Sequence, residues 1–216
     1  MDIITLTTHK LCDIIFVNIR SWCDFADIYK NNWRFCMLYS FDECIKKYNN
    51  LYQIEKMIQS EQLYKIDRGI YSDKKHVSEL EVVVFKYPHA VFAMESAFYY
   101  HGLTDVIPDE FHLATDRDAA KIRSTNVKQI FYQDTIFPIG IDSNSYQNVI
   151  IQIYDKERML IELIRNKSVL PFDYYKEIIE SYRKITHDLD IEKLQDYIIQ
   201  FPKKDYIMNA ILLEVL

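Results

Sequence analysis

Apolar residues recur with helical spacing from residue 40 onward and predict two short helices. Ser40 is suited to cap the first helix, because its hydroxyl can accept a hydrogen bond from a backbone amide and acidic residues follow in the first turn. Asn49 and Asn50 predict a break between the helices. The predicted apolar stripes are Phe41, Cys44, Ile45 and Tyr48 in the first helix, and Leu51, Ile54, Met57 and Ile58 in the second.

Residues 63–71 alternate between apolar and polar side chains around Gly69, which predicts a short β-hairpin. Two helices and a hairpin in this order are typical of a winged helix-turn-helix. We therefore predict an N-terminal winged-helix domain over residues 1–75. Within it, residues 1–38 form an unplaced supporting segment that is expected to contain at least one helix.

The remaining residues, 76–216, predict a small sheet followed by a helical bundle, so that the whole chain belongs to the α+β class. Residues 79–85 fit a strand because three valines are consecutive, and they fit a helix because Ser78 and two glutamates resemble a helix start. Both alternatives stay open. The other predicted elements are a helix over residues 94–101 with Gly102 as its C-cap, strands over 110–115, 127–132 and 148–153, a loop over 138–147, and helices from Asp155 onward.

Charge is unevenly distributed along a chain whose net charge is −6. Residues 1–80 contain eleven basic and eleven acidic side chains, whereas residues 81–216 contain fifteen basic and twenty-one acidic ones. A surface for a polyanion is therefore expected in the N-terminal part. No segment approaches the roughly 20 apolar residues that span a bilayer, and no signal peptide or paired cysteine motif is recognisable. We expect a cytoplasmic protein without membrane contact.

The motifs of several enzyme classes are missing from this sequence. The three glycines form no phosphate-binding loop. Asp188 and Asp190 have the spacing of a nucleotidyltransferase carboxylate pair, but no Gly-Ser pair precedes them, and we interpret them as loop and helix-cap residues. Ser96 and His101 are badly spaced for a nucleophile and its base, so we interpret them as core residues that hydrogen-bond to the backbone. No metal-binding spacing relates His89, His101, His112, Asp105 and Asp116. We expect no enzyme activity, cofactor or metal.

The second predicted helix carries candidate DNA-reading side chains, namely Asn50, Tyr52, Gln53 and Lys56. Asparagine and glutamine can pair bidentately with adenine, and lysine with guanine. The candidates for phosphate contacts are Lys46, Lys47, Lys65, Arg68, Lys74 and Lys75. Residues 41–75 hold seven basic and six acidic side chains. A solvent-exposed surface with no DNA-binding role would have a similar balance, so the alternative of an ordinary surface stays open. We therefore expect modest affinity for one half-site and tight binding only to two.

Three blocks of the sequence resemble the AbiEi family, a group of abortive-infection regulators that act as type IV antitoxins. The first is LYKIDRGIY at residues 63–71, which is similar to the family's wing. The second is YPHAV at 87–91 followed by ESAFYYHGLT at 95–104, similar to its core helix. The third is YDKERM at 154–159, similar to the junction before its C-terminal helices.

The resemblance implies a repressor that binds inverted repeats in double-stranded promoter DNA of its own operon. It also implies that the C-terminal domain, residues 76–216, counteracts a co-encoded nucleotidyltransferase-like toxin in phage defence without forming a stable complex. We expect a monomer in solution or a weak dimer on DNA. The alternative is a protein-interaction module with a degenerate winged helix and no DNA binding.

The family motifs place six residues of this chain in an antitoxin or structural role: Ser96, His101, Gly102, Asp155, Glu157 and Arg158. Asp155 is expected to cap the helix that follows it. Arg158 is expected to make a partly buried ion pair between the sheet and the helices, for which the planar guanidinium is suited. The alternative is that Glu157 and Arg158 form part of the surface that counteracts the toxin.

Overall fold

The computed structural model describes residues 37–216, and the supporting segment predicted over residues 1–38 lies almost wholly outside them. The chain divides into two compact units, a smaller one of Met1–Val77 and a larger one of Ser78–Leu216. The described residues form eight α-helices and two sheets, of three and five strands. The mixed α+β class predicted from the sequence is thereby confirmed.

The smaller unit places a three-stranded antiparallel sheet beside two helices. Its elements are β1 (Leu38–Ser40), α1 (Phe41–Tyr48), α2 (Leu51–Gln59), β2 (Tyr64–Asp67) and β3 (Ile70–Ser72). The strand order is β1-β3-β2, so β1 pairs with the second strand of the hairpin. The core of the unit consists of Cys44, Ile54, Leu63 and Tyr71. Both helices and the hairpin lie where the sequence predicts them, whereas β1 was not predicted.

Side-chain caps define the starts of α1 and α2. The Glu43 amide donates to the Ser40 hydroxyl at 3.3 Å, and the Ser40 amide donates to the Glu43 carboxylate at 2.9 Å, which completes a capping box. The Gln53 amide donates to Asn50 Oδ1 at 2.9 Å. The prediction that Leu51 belongs to the buried stripe of α2 is wrong, because Leu51 is the first residue of the helix and remains 56 % exposed.

The larger unit is built on a five-stranded mixed sheet with the order β6-β5-β4-β8-β7. Its first elements are α3 (Glu79–Lys86), β4 (Val91–Phe92), α4 (Met94–Tyr100), β5 (Phe111–Asp116), β6 (Val127–Tyr132), β7 (Ile141–Tyr146) and β8 (Val149–Tyr154). The pairs β4–β8 and β5–β6 are parallel, and the pairs β4–β5 and β7–β8 are antiparallel. The predicted strands and the helix before Gly102 are confirmed.

Two open or mistaken predictions are resolved in this unit. Residues 79–86 form a helix, because Ser78 and Glu81 make a reciprocal capping box at its start. The loop predicted over 138–147 is wrong, since most of it forms β7, which pairs with β8 along its whole length. The two strands meet in a turn where Gln147 and Asn148 have φ of 47° and 66°, the conformation of a two-residue hairpin turn.

Helices follow the sheet, as predicted, and there are four of them: α5 (Lys156–Arg165), α6 (Phe172–Lys184), α7 (Ile191–Ile199) and α8 (Lys204–Glu214). The central helix α5 is buried on nearly every side, with all residues from Glu157 to Ile164 buried. Asp190 caps α7 by accepting a hydrogen bond from the Lys193 amide at 3.0 Å, which confirms its predicted role. Within residues 37–216, every helix is too short or too polar to cross a bilayer.

Candidate nucleic-acid interface

All ten side chains that the sequence analysis assigns to DNA are exposed. They are Lys46, Lys47, Asn50, Tyr52, Gln53, Lys56, Lys65, Arg68, Lys74 and Lys75. Burial of Gln53 or Lys56 beneath other parts of the chain would exclude a reading role for α2, and neither side chain is buried. The smaller unit therefore presents these groups to solvent, where a duplex could reach them.

The outward face of α2 is defined by the residues that it buries. Ile54 is 1 % exposed, so the opposite face of the helix is centred on Tyr52, Lys56 and Gln59, which follow at intervals of four and three residues. We call these three residues the outer stripe. Gln59 was not among the predicted DNA contacts, although the helical period that identified Tyr52 and Lys56 continues to it. The stripe is about 10 Å long at 1.5 Å per residue.

Asn50 has a structural task at the start of α2. Its Oδ1 accepts the hydrogen bond from the Gln53 amide that caps the helix. Bidentate pairing with adenine would need the same oxygen as an acceptor for the N6 amino group. The contact predicted for Asn50 therefore competes with the cap, which leaves Gln53 and Gln59 as the amide side chains on α2 without that constraint.

Lys47 is held in place by two tyrosines. Its Nζ donates a hydrogen bond to Tyr39 Oη at 2.8 Å and lies 4.2 Å from the centre of the Tyr39 ring and 5.3 Å from that of Tyr48. The hydrogen bond to Tyr39 raises the pKa of Lys47, so its charge is kept. A lysine restrained in this way loses less conformational entropy when it meets a phosphate than a free one does.

The tip of the β2–β3 hairpin consists of Arg68 and Gly69. Gly69 has a φ of 75°, which suits the tight turn, and its carbonyl accepts a hydrogen bond from the Phe41 amide at 2.9 Å. That bond ties the tip to the start of α1. The side chain of Arg68 is exposed at the end of the hairpin, and Lys65 is exposed along β2.

In the larger unit, the motif at residues 154–158 forms a buried polar centre rather than a surface. Arg158 is fully buried, and its Nη2 lies 2.8 Å from Oε1 of Glu162, one turn further along α5. Its guanidinium lies 4.3–5.0 Å from the ring centres of Tyr132, Tyr154 and Phe201. The partly buried pair between sheet and helices is thus corrected to a fully buried pair within one helix, to which the sheet contributes aromatic rings.

Asp155 and Glu157 connect this centre to α7. Asp155 Oδ1 caps α5 by accepting from the Arg158 amide at 2.8 Å, as predicted, while its Oδ2 accepts from Tyr197 Oη and pairs with Lys193 Nζ, each at 2.9 Å. Glu157 accepts a hydrogen bond from the Asp190 amide at 2.9 Å. Because Glu157 and Arg158 are both buried, their contacts favour the structural role over a place on the antitoxic surface.

Gly140 lies against the start of α5. Its carbonyl accepts a hydrogen bond from the Asp155 amide at 2.8 Å, and its φ is +76°. A β-carbon at this position would lie 2.5 Å from Cβ of Arg158, well inside contact distance. The backbone of residue 140 therefore lies too close to α5 for a residue with a side chain to fit without a shift.

Two motif residues, Ser96 in α4 and His101 just after it, make hydrogen bonds to backbone groups. Ser96 is fully buried, and its hydroxyl accepts a hydrogen bond from the His112 amide at 2.9 Å. His101 Nε2 donates to the Tyr154 carbonyl at 2.7 Å. The C-cap of α4 is His101 and not Gly102 as predicted, and Gly102 is the left-handed residue that follows it, with a φ of 68°. Both side chains hydrogen-bond to backbone groups, as predicted, but only Ser96 lies in the core, since His101 is partly buried. Among residues 37–216, no three His, Cys, Asp or Glu side chains come together as a metal site would require.

The buried side chain of His112 is expected to make the free energy of unfolding depend on pH. Burial, with Lys128 nearby, lowers its pKa to about 4, although Glu95 Oε2 lies 3.8 Å from Nε2. The unfolded chain binds a proton here below about pH 6.5, while the folded chain does so only near pH 4. Stability is therefore lost as the pH falls through this window.

From pH 7 to pH 5 the loss attributable to His112 is expected to be about 2 kcal/mol. Urea unfolding of the wild type and of His112→Gln at both pH values would measure it. The variant should lose less stability than the wild type over this interval, because its side chain does not titrate. Equal losses in the two proteins would contradict the assignment.

No protein-family model matches the sequence, and no characterised protein shows significant similarity to it. The likeness to the AbiEi family is therefore carried by the three short blocks alone.

Proposed function

We propose that the protein is an antitoxin of the AbiEi type, which represses its own operon and counteracts a co-encoded nucleotidyltransferase-like toxin. In this proposal the smaller unit is a winged helix-turn-helix, with α2 as its reading helix and the β2–β3 hairpin as its wing. The element order and the strand order β1-β3-β2 support it. The observation on which it chiefly rests is the exposure of every side chain assigned to DNA.

Base reading would fall to the side chains of α2 that lie away from its buried face. Lys56 can donate to guanine, Gln53 and Gln59 can pair bidentately with adenine, and Tyr52 can pack against a thymine methyl group. Phosphate contacts would come from Lys46 and Lys47 at the end of α1 and from Arg68 at the hairpin tip. Because acidic residues nearly balance the basic ones in this region, binding to unrelated DNA is expected to be weak.

The antitoxin role would belong to the larger unit. The family-like motif at residues 154–158 supports this role indirectly, because it joins β8, α5 and α7 through the contacts of Arg158, Asp155 and Glu157. The excess of acidic side chains in this unit disfavours binding to a phosphate backbone over most of its surface. Neutralisation of the toxin would depend on the fold that the motif stabilises.

An electrophoretic mobility-shift experiment on the promoter of the protein's own operon tests the repressor role. At low salt we expect two retarded species, one for each half-site of an inverted repeat, and little retardation of a shuffled duplex of equal length. Lys47→Ala should weaken binding because it removes a positioned phosphate contact, whereas Lys176→Ala on α6 is the matched control. A promoter that is not retarded at 50 mM salt would overturn the proposal.

One observation favours the alternative, a protein-interaction module without DNA binding. Leu51 and Tyr52 are 56 % and 70 % exposed at the start of α2, which places two large neighbouring side chains on the surface where a partner protein could cover them. Deleting residues 1–77 would separate the roles in cells. The antitoxin proposal expects loss of repression with rescue from the toxin retained, while the alternative expects no repression by the full-length protein or by the deletion variant.

A further inference from the structure

A shallow cleft of about 210 Å³ lies in the larger unit, at the carboxyl end of β5. One wall is the end of α3, with Lys86 and Tyr87, and the other is the end of β5 with the chain that follows it. Thr115, Asp116 and Ile122 contribute to this second wall. The cleft thus combines an aromatic side chain, an aliphatic one, a carboxylate and a hydroxyl.

The chain that follows β5 is held in one shape by Gln129. Residues 117–126 connect two parallel neighbours, β5 and β6, without a helix. Gln129 Oε1 accepts from the Ile122 amide at 2.8 Å, and its Nε2 donates to Thr115 Oγ1 at 2.9 Å and to the Ala120 carbonyl at 3.1 Å. These three hydrogen bonds fix the loop against the sheet, so the cleft exists before any ligand arrives.

The loop of residues 117–126 differs in its charge balance from the rest of the larger unit. Residues 78–216 contain fifteen basic and twenty-two acidic side chains. Within residues 117–126, by contrast, Asp118 is accompanied by three basic side chains, all of them exposed: Arg117, Lys121 and Arg123. The local excess of positive charge attracts anions to the part of the sheet at which the cleft lies.

We propose that this cleft binds a mononucleotide. The base would lie between Tyr87 and Ile122, with the Asp116 carboxylate accepting a hydrogen bond from an exocyclic amino group or a ribose hydroxyl. The volume is below the roughly 300 Å³ of sites that enclose a whole ligand. It therefore suits the base alone, with the phosphates outside it on the basic loop.

Isothermal titration of the full-length protein with ATP, GTP, CTP and UTP, and separately with inorganic pyrophosphate, tests this site. We expect at least one nucleotide to bind with a Kd below 1 mM and pyrophosphate to bind at least tenfold more weakly. Equal affinity for pyrophosphate would show that the base stays outside the cleft, and would overturn the proposal. So would the absence of binding by all four nucleotides.

Two matched double variants locate the binding. Lys121→Ala with Arg123→Ala should weaken nucleotide binding at least tenfold, because both are exposed residues of the loop. Lys176→Ala with Lys184→Ala removes the same charge from exposed positions on α6 and should leave binding unchanged. Equal weakening by the two double variants would attribute the binding to overall charge and would contradict the site. Circular dichroism of each variant checks that the fold is kept.

Discussion

Replacing Arg158 with alanine is expected to lower the free energy of unfolding by about 3 kcal/mol. The carboxyl group of Glu162, which is 1 % exposed, would lose its buried partner. Breaking such a pair commonly costs about 3–5 kcal/mol. We place the effect at the lower end because Arg165 also contacts Glu162, with Nη1 at 2.8 Å from Oε1. Urea unfolding followed by circular dichroism would measure the change.

Two further variants distinguish the buried pair from a general effect of removing charge. Arg165→Ala removes the partly exposed partner of the same carboxylate and should cost less than about 1 kcal/mol. Arg158→Met combined with Glu162→Leu should recover much of the stability, because no charge is then left unpaired in the core. If Arg158→Ala costs no more than Arg165→Ala, the account of this centre is wrong.

Alanine at all three positions of the outer stripe is expected to weaken operator binding by roughly 100- to 1000-fold. A good base contact contributes about 1–3 kcal/mol, and Lys56 and Gln59 would each make one. Folding should be unaffected, within about 0.5 kcal/mol, because the side chains are exposed on a helix and alanine favours helix. Fluorescence anisotropy with a labelled promoter duplex at 0.1 M salt would measure the affinity.

Single variants of the stripe should each relax the preference for one base pair. Tyr52 and Gln59 are separated by about 10 Å along α2, which corresponds to about three base pairs at 3.4 Å each. Lys56→Ala and Gln59→Ala should therefore affect neighbouring positions of the half-site. Wild-type affinity in the triple variant would show that α2 does not read DNA, even if the protein binds the promoter by another surface.

Elements that begin with a local cap could be predicted from the sequence. Ser40 and Asp190 each accept a hydrogen bond from a backbone amide three residues later, so a few neighbouring residues hold the whole signal. The strand β7 could not be predicted in this way. Its residues 142–145 are all polar, and it is a strand because it pairs with β8 at the sheet edge.

In the candidate sites, too, features set by the local sequence could be predicted, whereas features set by tertiary contacts could not. The helical period is enough to place Lys56 on the outward face of α2, and it would have added Gln59. The partners of Arg158 were not predictable, because Tyr132 and Phe201 are distant in sequence and reach the guanidinium only through the tertiary fold. The loop contacts of Gln129 were missed for the same reason.

The close approach of Gly140 to α5 limits how this protein can diversify. The atom that a new side chain would meet is the β-carbon of Arg158, which every amino acid except glycine possesses. Replacing Arg158 with any residue other than glycine would therefore leave this clash with a side chain at position 140 in place. Gly102 differs, because nothing lies within 4 Å of its missing side chain and asparagine tolerates its left-handed backbone. Of these two glycines, the one at the helix end is therefore expected to accept a substitution at a lower cost in stability than the one that contacts α5.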